Sequence, residues 1–330
     1  MHVVSWFFVG VLGVLGLLFQ HQTDVAGLKQ VKQGADQGTV MHRGNKLAHV
    51  ITALLIVFGP IVGTAHAEPP ISTSEMSTAE VARHLANPNS PLASLTLKNQ
   101  YTFYKGSLPG ANDQRNYSMT FEPAFPFRLD SGARLFFRPT IPAQFDAPVF
   151  NADKNLFNGQ SGLGDISFDL AYGETMKSGF LWAAGMSSTL PTATSAGIGG
   201  QQWTLGPRAG LGLLKNWGVL AVFSTHQWDV AGWAEASTSA TTIQPVATLL
   251  LGGGWAVGTN PSLVYNWKQS QWTFPLDLVV SKTVRIGKTP VRLGLTIDYY
   301  VSQPDSFGPK WMIGFNITPV VKNIFAEWFQ

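Results

Sequence analysis

Three side chains that could form a hydrolytic site lie close together in the sequence. Ser224 and His226 are two residues apart, so on a β-strand both would face the same side, and Asp229 follows. A serine hydroxyl beside a histidine is a common nucleophile of acyl-transfer enzymes. Elsewhere the sequence contains neither a Gly-x-Ser-x-Gly elbow nor a complete glycine loop for a dinucleotide. We therefore predict a protein that is not an enzyme and keep a Ser224/His226 hydrolase as an alternative.

Histidine and cysteine, the residues that most often bind zinc, are scarce in this chain. The sequence contains no cysteine, and five of its seven histidines precede residue 68, which leaves only His84 and His226. Two histidines are too few for the usual zinc sites, and no acidic loop has the spacing of a calcium site. We predict no metal ion and no cofactor.

The charged residues are few and do not cluster. They make up 12% of the 330 residues, which is about half the share in an average soluble domain. The formal net charge is +3, and no run of lysine and arginine could follow a phosphate backbone. We predict no nucleic-acid partner.

Many charged residues instead alternate with apolar neighbours. In a membrane strand such charges must point away from lipid, because arginine or lysine at mid-bilayer costs about 2 to 4 kcal/mol. We predict that they line a barrel lumen, either as ion pairs that fill it or as a constriction that selects solutes by charge. The candidates are Glu122, Arg128, Arg138, Asp165, Asp169, Arg208, Asp277, Arg292 and Asp298, and Lys98 has the same pattern.

The first 67 residues contain the pattern of an export signal. Residues 41–67 combine a short basic segment, the apolar run Leu47–Val62 and the sequence Ala65-His66-Ala67, which a signal peptidase reads. Cleavage after Ala67 would leave a mature chain that begins at Glu68. We interpret residues 1–40 as an upstream extension from a start codon placed too early. An inner-membrane helix over Val3–Phe19 is the alternative.

From residue 93 onward apolar and polar residues alternate, which predicts strands with one apolar face. No apolar run after Ala67 is long enough to cross a bilayer as a helix, so insertion would require a closed barrel. Twelve strands are predicted: Ser94–Lys105, Arg115–Leu129, Ala133–Phe145, Leu163–Glu174, Phe180–Thr192, Gln202–Leu214, Gly218–Asp229, Ile243–Leu251, Trp255–Trp267, Gln271–Val284, Val291–Val301 and Trp311–Val321.

The connections between these strands alternate in length. Apart from Lys268-Gln269-Ser270, the links expected outside the cell are long and those expected in the periplasm are short, as in outer-membrane barrels. Tryptophans near strand ends fit the aromatic girdles of such barrels. Prolines inside the strands count against the assignment because each removes a ladder donor. They are Pro123, Pro139, Pro207, Pro245, Pro261, Pro275 and Pro319.

The predicted fold is thus all-β, an antiparallel transmembrane β-barrel of about twelve strands over residues 93–322. A periplasmic segment, residues 68–92, precedes it and contains a short helical stretch at Thr78–Leu85. We expect this helix on the periplasmic surface, with a plug inside the barrel as the alternative. Residues 323–330 form a C-terminal tail.

Four phrases of the second half resemble a known family of outer-membrane transporters. They are Gln202–Pro207, His226–Trp233, Leu251–Trp255 and Phe307–Val320. The family carries the label MetA-pathway of phenol degradation, and some members bear the misapplied name neuromedin U. The resemblance extends from about residue 87 to residue 321. It implies an outer-membrane barrel of Gram-negative bacteria with a transport role, and it carries over no catalytic or binding residues.

The function expected from these features is passive passage of small solutes across the outer membrane, and the family label suggests aromatic or hydrophobic ones. An outer-membrane lipid hydrolase and a closed structural barrel are the alternatives. Outer-membrane phospholipases of twelve strands have the order His-x-Ser, whereas this chain has Ser224-x-His226. The expected partners are outer-membrane lipid, lipopolysaccharide, an unidentified small solute and the barrel-assembly machinery. Because the chain ends Trp328-Phe329-Gln330, we expect the aromatic signal for that machinery to be either shifted or located earlier, around Phe315.

Overall fold

The computed structural model describes residues 65–66, 75–129, 131–234, 236–323 and 325. The predicted upstream extension, residues 1–40, lies outside the described residues. So do nearly all of the predicted signal peptide, residues 41–67, and most of the predicted tail, residues 323–330. Within the described residues, no helix is long and apolar enough to cross a bilayer.

Twelve antiparallel strands form one closed barrel, which confirms the predicted fold class. Each strand pairs with the next, and β12 pairs with β1 to close the sheet. The strands are β1 (Ala93–Lys105), β2 (Arg115–Leu129), β3 (Arg134–Asn151), β4 (Leu156–Leu163 and Ser167–Thr175), β5 (Phe180–Thr189), β6 (Gln202–Lys215), β7 (Gly218–Gly232), β8 (Ser239–Gly252), β9 (Trp255–Thr259 and Leu263–Asn266), β10 (Gln271–Ile286), β11 (Thr289–Ser302) and β12 (Gly308–Val321).

Three smaller elements accompany the barrel. Single 3₁₀ turns, Ala111–Asp113 and Ala196–Ile198, lie in two of the long loops, and a two-residue strand, Ala65–His66, pairs with the end of β2. An α-helix, α1 (Thr78–Ala86), precedes β1.

The alternation of the sequence sets which side chains face lipid and which face the lumen. On the outer face, Leu251, Leu276 and Leu211 are 64%, 57% and 56% exposed, as expected for side chains whose natural solvent is lipid. Six tryptophans lie near strand ends: Trp203 is half-buried, and the other five are 42–56% exposed, namely Trp217, Trp255, Trp267, Trp272 and Trp311. These positions match the two girdles of a membrane barrel.

The predicted long link between the third and fourth strands is largely strand in the structure. Residues 146–162 continue the β3–β4 ladder from Ala147 opposite Gln160 to Asn151 opposite Leu156. The register shifts between Gln144 and Ala147, where Asp146 has a φ of 59°. This bulge hides the continuation from a period-two pattern, because one inserted residue reverses the alternation.

Most of the strand prolines lie where the ladder is already interrupted. The β6–β7 pairing skips Pro207, the β12–β1 pairing skips Pro319, and the β2–β3 pairing skips Pro123. Pro261 falls in the break of β9, and Pro275 lies at a register shift of β10. The missing N–H of a proline is tolerated at such places.

Helix α1 starts with a complete capping box. The hydroxyl of Ser77 accepts a hydrogen bond from the Glu80 N–H (3.2 Å), and the Glu80 carboxylate accepts one from the Ser77 N–H (2.7 Å). Because of these bonds the pKa of Glu80 is lowered, so the cap stays ionised at neutral pH.

The helix lies within the end of the barrel that carries the short turns, not on its outer surface. Val81 is fully buried and packs with Leu92 and with Val320 of β12. Ala82 and Ala86 face the lumen cavity. The expectation of a surface helix is therefore wrong, because the apolar side of this short helix finds its partners on the inner wall.

Gly206 is required by the close approach of β6 and β7. A Cβ added at Gly206 would lie 1.6 Å from the carbonyl oxygen of His226, whereas one at Gly294 would meet nothing closer than 3.7 Å.

We expect Gly206→Ala to destabilise the barrel by about 1 to 3 kcal/mol, because the backbone of β6 or β7 must shift to make room for the methyl group. The temperature at which the folded band disappears in unboiled gels should fall for Gly206→Ala and stay unchanged for Gly294→Ala. Equal temperatures for the two variants would contradict the register described.

Candidate functional site

The barrel encloses a cavity of about 650 Å³ that is open to solvent and lined by inward-facing side chains. Residues of eleven of the twelve strands contribute to it, and among the described strands β5 contributes none. Helix α1 and residues 87–92 form its lower boundary. A cavity of this kind in a twelve-stranded barrel is intermediate between a filled small barrel and an open porin.

Eight charged side chains line this cavity, four positive and four negative. Their even spacing with apolar neighbours places them on the inner face. They are Lys98, Glu122, Arg138, Asp169, Arg208, Asp277, Arg292 and Asp298. Seven of the nine residues that the sequence predicts as lumen-lining are thus brought together.

The other two predicted residues, Arg128 and Asp165, do not line the cavity. Arg128 is exposed near the short turn at the end of β2. Asp165 lies in the break of β4, where its carboxylate accepts hydrogen bonds from the N–H groups of Ala193 (2.9 Å) and Gly200 (2.6 Å). It therefore fixes the long loop between β5 and β6, a role that alternation cannot distinguish from lumen lining.

Two ion pairs account for four of the charges. Lys98 Nζ lies 2.6 Å from Glu122 Oε2 across β1 and β2, and Arg208 Nη1 lies 3.4 Å from Asp169 Oδ2. The guanidinium of Arg208 also donates to Thr225 Oγ1 (3.1 Å) and Gln244 Oε1 (3.3 Å). These charge-assisted bonds hold the side chain of Arg208 against the inner wall of the barrel.

From Arg208 a chain of hydrogen bonds follows the wall toward β10. Gln244 donates from its amide to Asn260 Oδ1 (2.8 Å), and the backbone N–H of Asn260 donates to the carboxylate of Asp277. Asn260 occupies the break of β9, so its backbone N–H is free to turn inward. The sequence gives no sign of these two amide side chains, because neither is part of a motif.

Arg138 and Arg292 hold the N-terminal segment instead of an acid. Arg292 Nη1 donates to the carbonyl oxygen of Leu85 (3.1 Å), and Arg138 donates to that of Pro88. These carbonyls lie at and just beyond the end of α1, where backbone acceptors have no partner within the helix. Two of the predicted selectivity arginines are therefore tethers of the segment that narrows the lumen.

Asn89 adds a third attachment that the sequence did not reveal. Its side-chain amide donates to the carbonyl oxygens of Glu174 (2.9 Å) and Trp182 (3.0 Å) on β4 and β5. Thr175 Oγ1 donates to Asn87 Oδ1 (3.1 Å). Asn89 is only 3% exposed, so residues 87–92 are fixed against the wall.

Two of the hydrolase candidates, Ser224 and His226, lie on the lipid-facing side of β7, opposite the lumen. His226 Nδ1 lies 2.7 Å from Thr241 Oγ1, and its ring is tilted by 52° against that of Trp228, with centroids 4.2 Å apart. Asp229 accepts from the N–H of Thr238 (2.9 Å) and belongs to the other face of the strand. Within the described residues, no hydrogen bond joins Ser224 to His226, so the three side chains do not form a triad.

Comparison with known proteins supports the architecture. No family model matches the chain, and no curated protein does. Among solved structures, an outer membrane channel from Pseudomonas putida F1 aligns with a TM-score of 0.55 at 13% identity, over 70% of this chain and 95% of that one. The NanC porin aligns at 0.44 and 9% identity over 69% and 99% of the two chains. Phospholipase A from the outer membrane of Escherichia coli aligns at 0.41 and 12% identity over 76% and 100%.

The likeness to the Pseudomonas channel shows a shared fold. The chain is accordingly a barrel of the type found among outer-membrane channels, and it is located in the outer membrane. The other two similarities are too weak to distinguish a porin from a lipase.

The attachment of α1 can be tested with single cysteines, since the chain has none of its own. Ala82→Cys should react slowly with a maleimide because Ala82 is 5% exposed, while Ala79→Cys on the exposed side should react fast. Adding Arg292→Gln removes a charged hydrogen bond worth about 1.5 to 3 kcal/mol, so labelling of Ala82→Cys should rise about tenfold or more. An unchanged rate would mean that Arg292 does not hold the helix.

Proposed function

We propose that this protein is a passive channel through which small solutes cross the outer membrane by way of the charged lumen. The observation that carries the proposal is the solvent-open cavity of about 650 Å³, lined by four positive and four negative side chains. A barrel with only a structural role needs no open, charge-lined lumen, whereas rings of charged side chains select solutes in pores. The resemblance to outer-membrane transporters supports the same function.

The charges are distributed unevenly around the wall. Arg138 and Arg208 lie on β3 and β6, and Asp277 and Asp298 lie on β10 and β11. In the closed order of strands these two groups are centred six strands apart, half of the circumference. Asp169 on β4 and Arg292 on β11 add the opposite sign to each group, so a solute in the lumen would meet charges of both signs on both sides.

Apolar side chains lie beside these charges. Phe136, Phe223, Tyr300 and Met312 reach the same cavity. We extend the proposal to small solutes with an aromatic or hydrophobic part, which agrees with the label of the resembling family. The tethered helix would keep the passage narrow and exclude larger molecules. Outer-membrane lipid, lipopolysaccharide and the assembly machinery remain the proposed partners of the outer surface.

Single-channel recording in planar bilayers tests the proposal. We expect discrete conductance steps, and we expect Arg208→Ala to shift the reversal potential in a salt gradient toward cation preference, because the lumen then carries one net negative charge. Asp169→Ala, which removes the partner charge, should shift it the opposite way. Lys215→Ala, at an exposed turn, is the matched control and should change nothing.

A folded protein that inserts but passes no current would contradict the channel. Insertion and folding are checked independently by the shift of gel mobility on heating. A current that is indifferent to both lumen substitutions would place the passage elsewhere.

The hydrolase alternative has its own test. We expect no release of fatty acid from phospholipid vesicles by the folded protein, because Ser224 lacks a hydrogen bond to His226 and Asp229 lies on the other face. Ser224→Ala should therefore give the same background rate. Hydrolysis by the unaltered chain that Ser224→Ala abolishes would establish an enzyme.

A further inference from the structure

Two carboxylates face the lumen at adjacent positions of β10 and β11. Asp277 and Asp298 are directly opposite each other in the ladder. Side chains paired in this way have Cβ atoms about 4.5 to 5.5 Å apart, and like charges placed there repel. Both residues line the large cavity. Two like charges that face each other on the inner wall are energetically unfavourable unless a positive group lies beside them.

Within the described part of the chain, no lysine or arginine forms an ion pair with either carboxylate. The lumen cations are used elsewhere, since Lys98 is bound to Glu122 and Arg292 donates to the carbonyl oxygen of Leu85. Arg138 donates to Pro88 and Arg208 is paired with Asp169.

The cost of desolvation is larger for Asp298 than for Asp277. It is 92% buried, having a relative accessibility of 8%, and its Oδ1 has no hydrogen-bond partner. Asp277 differs, because it accepts a hydrogen bond from the N–H of Asn260. A buried carboxylate oxygen without a donor is rare, and its desolvation favours an incoming donor strongly.

The surroundings of the pair fit the body of an organic molecule. Val246, Val257 and Val279 line the same cavity on the side of β8 to β10, and Tyr300 and Met312 line it on the side of β11 and β12. A pocket with an apolar wall and a few polar groups that fix orientation is the usual form of a small-molecule site.

We infer that Asp277 and Asp298 form a binding site for the cationic group of an organic solute, an ammonium or guanidinium with an apolar body. This inference rests on the proposed channel, in which it is the place where such a solute pauses in the lumen. An ammonium has three donors and no acceptor, so it satisfies both carboxylates at once. A calcium ion takes six to eight oxygen ligands, and two carboxylates offer too few.

Equilibrium binding to the protein purified from membranes in detergent tests the site without requiring a current. The probe is 2-phenylethylammonium, titrated calorimetrically, with neutral 2-phenylethanol as its matched control. We expect the alcohol to bind at least about tenfold more weakly, and Asp298→Asn and Asp277→Asn each to weaken the amine by about tenfold or more. Asp305→Asn, an exposed loop carboxylate, should bind as the unaltered chain does.

The outcomes separate the site from the channel. Equal binding of amine and alcohol, or unchanged binding by both aspartate variants, would overturn the site. Calcium bound more tightly than the amine through the same two aspartates would overturn the organic ligand. A protein that conducts current but does not bind the amine would contradict this inference alone. A folded barrel that binds the amine but conducts no current would contradict the proposed function alone. Gel mobility on heating verifies that each variant is folded, and if Asp298→Asn fails to fold, Asp277→Asn decides.

Discussion

The structure depends on one requirement: every backbone N–H and C=O group in lipid must be hydrogen-bonded. Because no water reaches those groups, a sheet in lipid must close on itself and have no unpaired edge strand. The pairing of β12 with β1, from Gly308 opposite Lys105 to Val321 opposite Ala93, removes the last edge. Once closed, the sheet has an inside and an outside, and the period of two assigns every residue to one of them. The charged lumen is a consequence of closure as much as of the sequence.

Closure also explains why the interior is chemically dense. Charges excluded from lipid gather in a space narrow enough that they must bind each other, the backbone or a solute. Arg208 binds another charge, Asp169, and Arg292 binds the backbone carbonyl oxygen of Leu85. Asp298 binds neither a cation nor the backbone through its buried Oδ1. The interior therefore combines rigid elements with one group whose requirements the chain itself leaves open.

The sequence predicted the strands and most lumen residues because alternation depends only on which face is apolar. All twelve strands are found, and seven charged residues lie where the pattern puts them. The failures have local causes. A bulge at Asp146 reversed the phase of β3, Asp165 binds loop N–H groups, and the place of α1 depends on Val320 and Arg292, more than 200 residues away. Contacts between residues so far apart produce no periodic pattern in the sequence, so they could not be predicted from it.

The attachments of α1 have a consequence for how the chain assembles. Helix α1 is made before any strand of the barrel, yet the carbonyl oxygen of Leu85 is bound by Arg292 of β11, which is 207 residues away. Contacts so distant in sequence form late, because the intervening loop must first be ordered. The first-made segment of the described chain is therefore held in full only after β11, one of the last strands, has joined the wall.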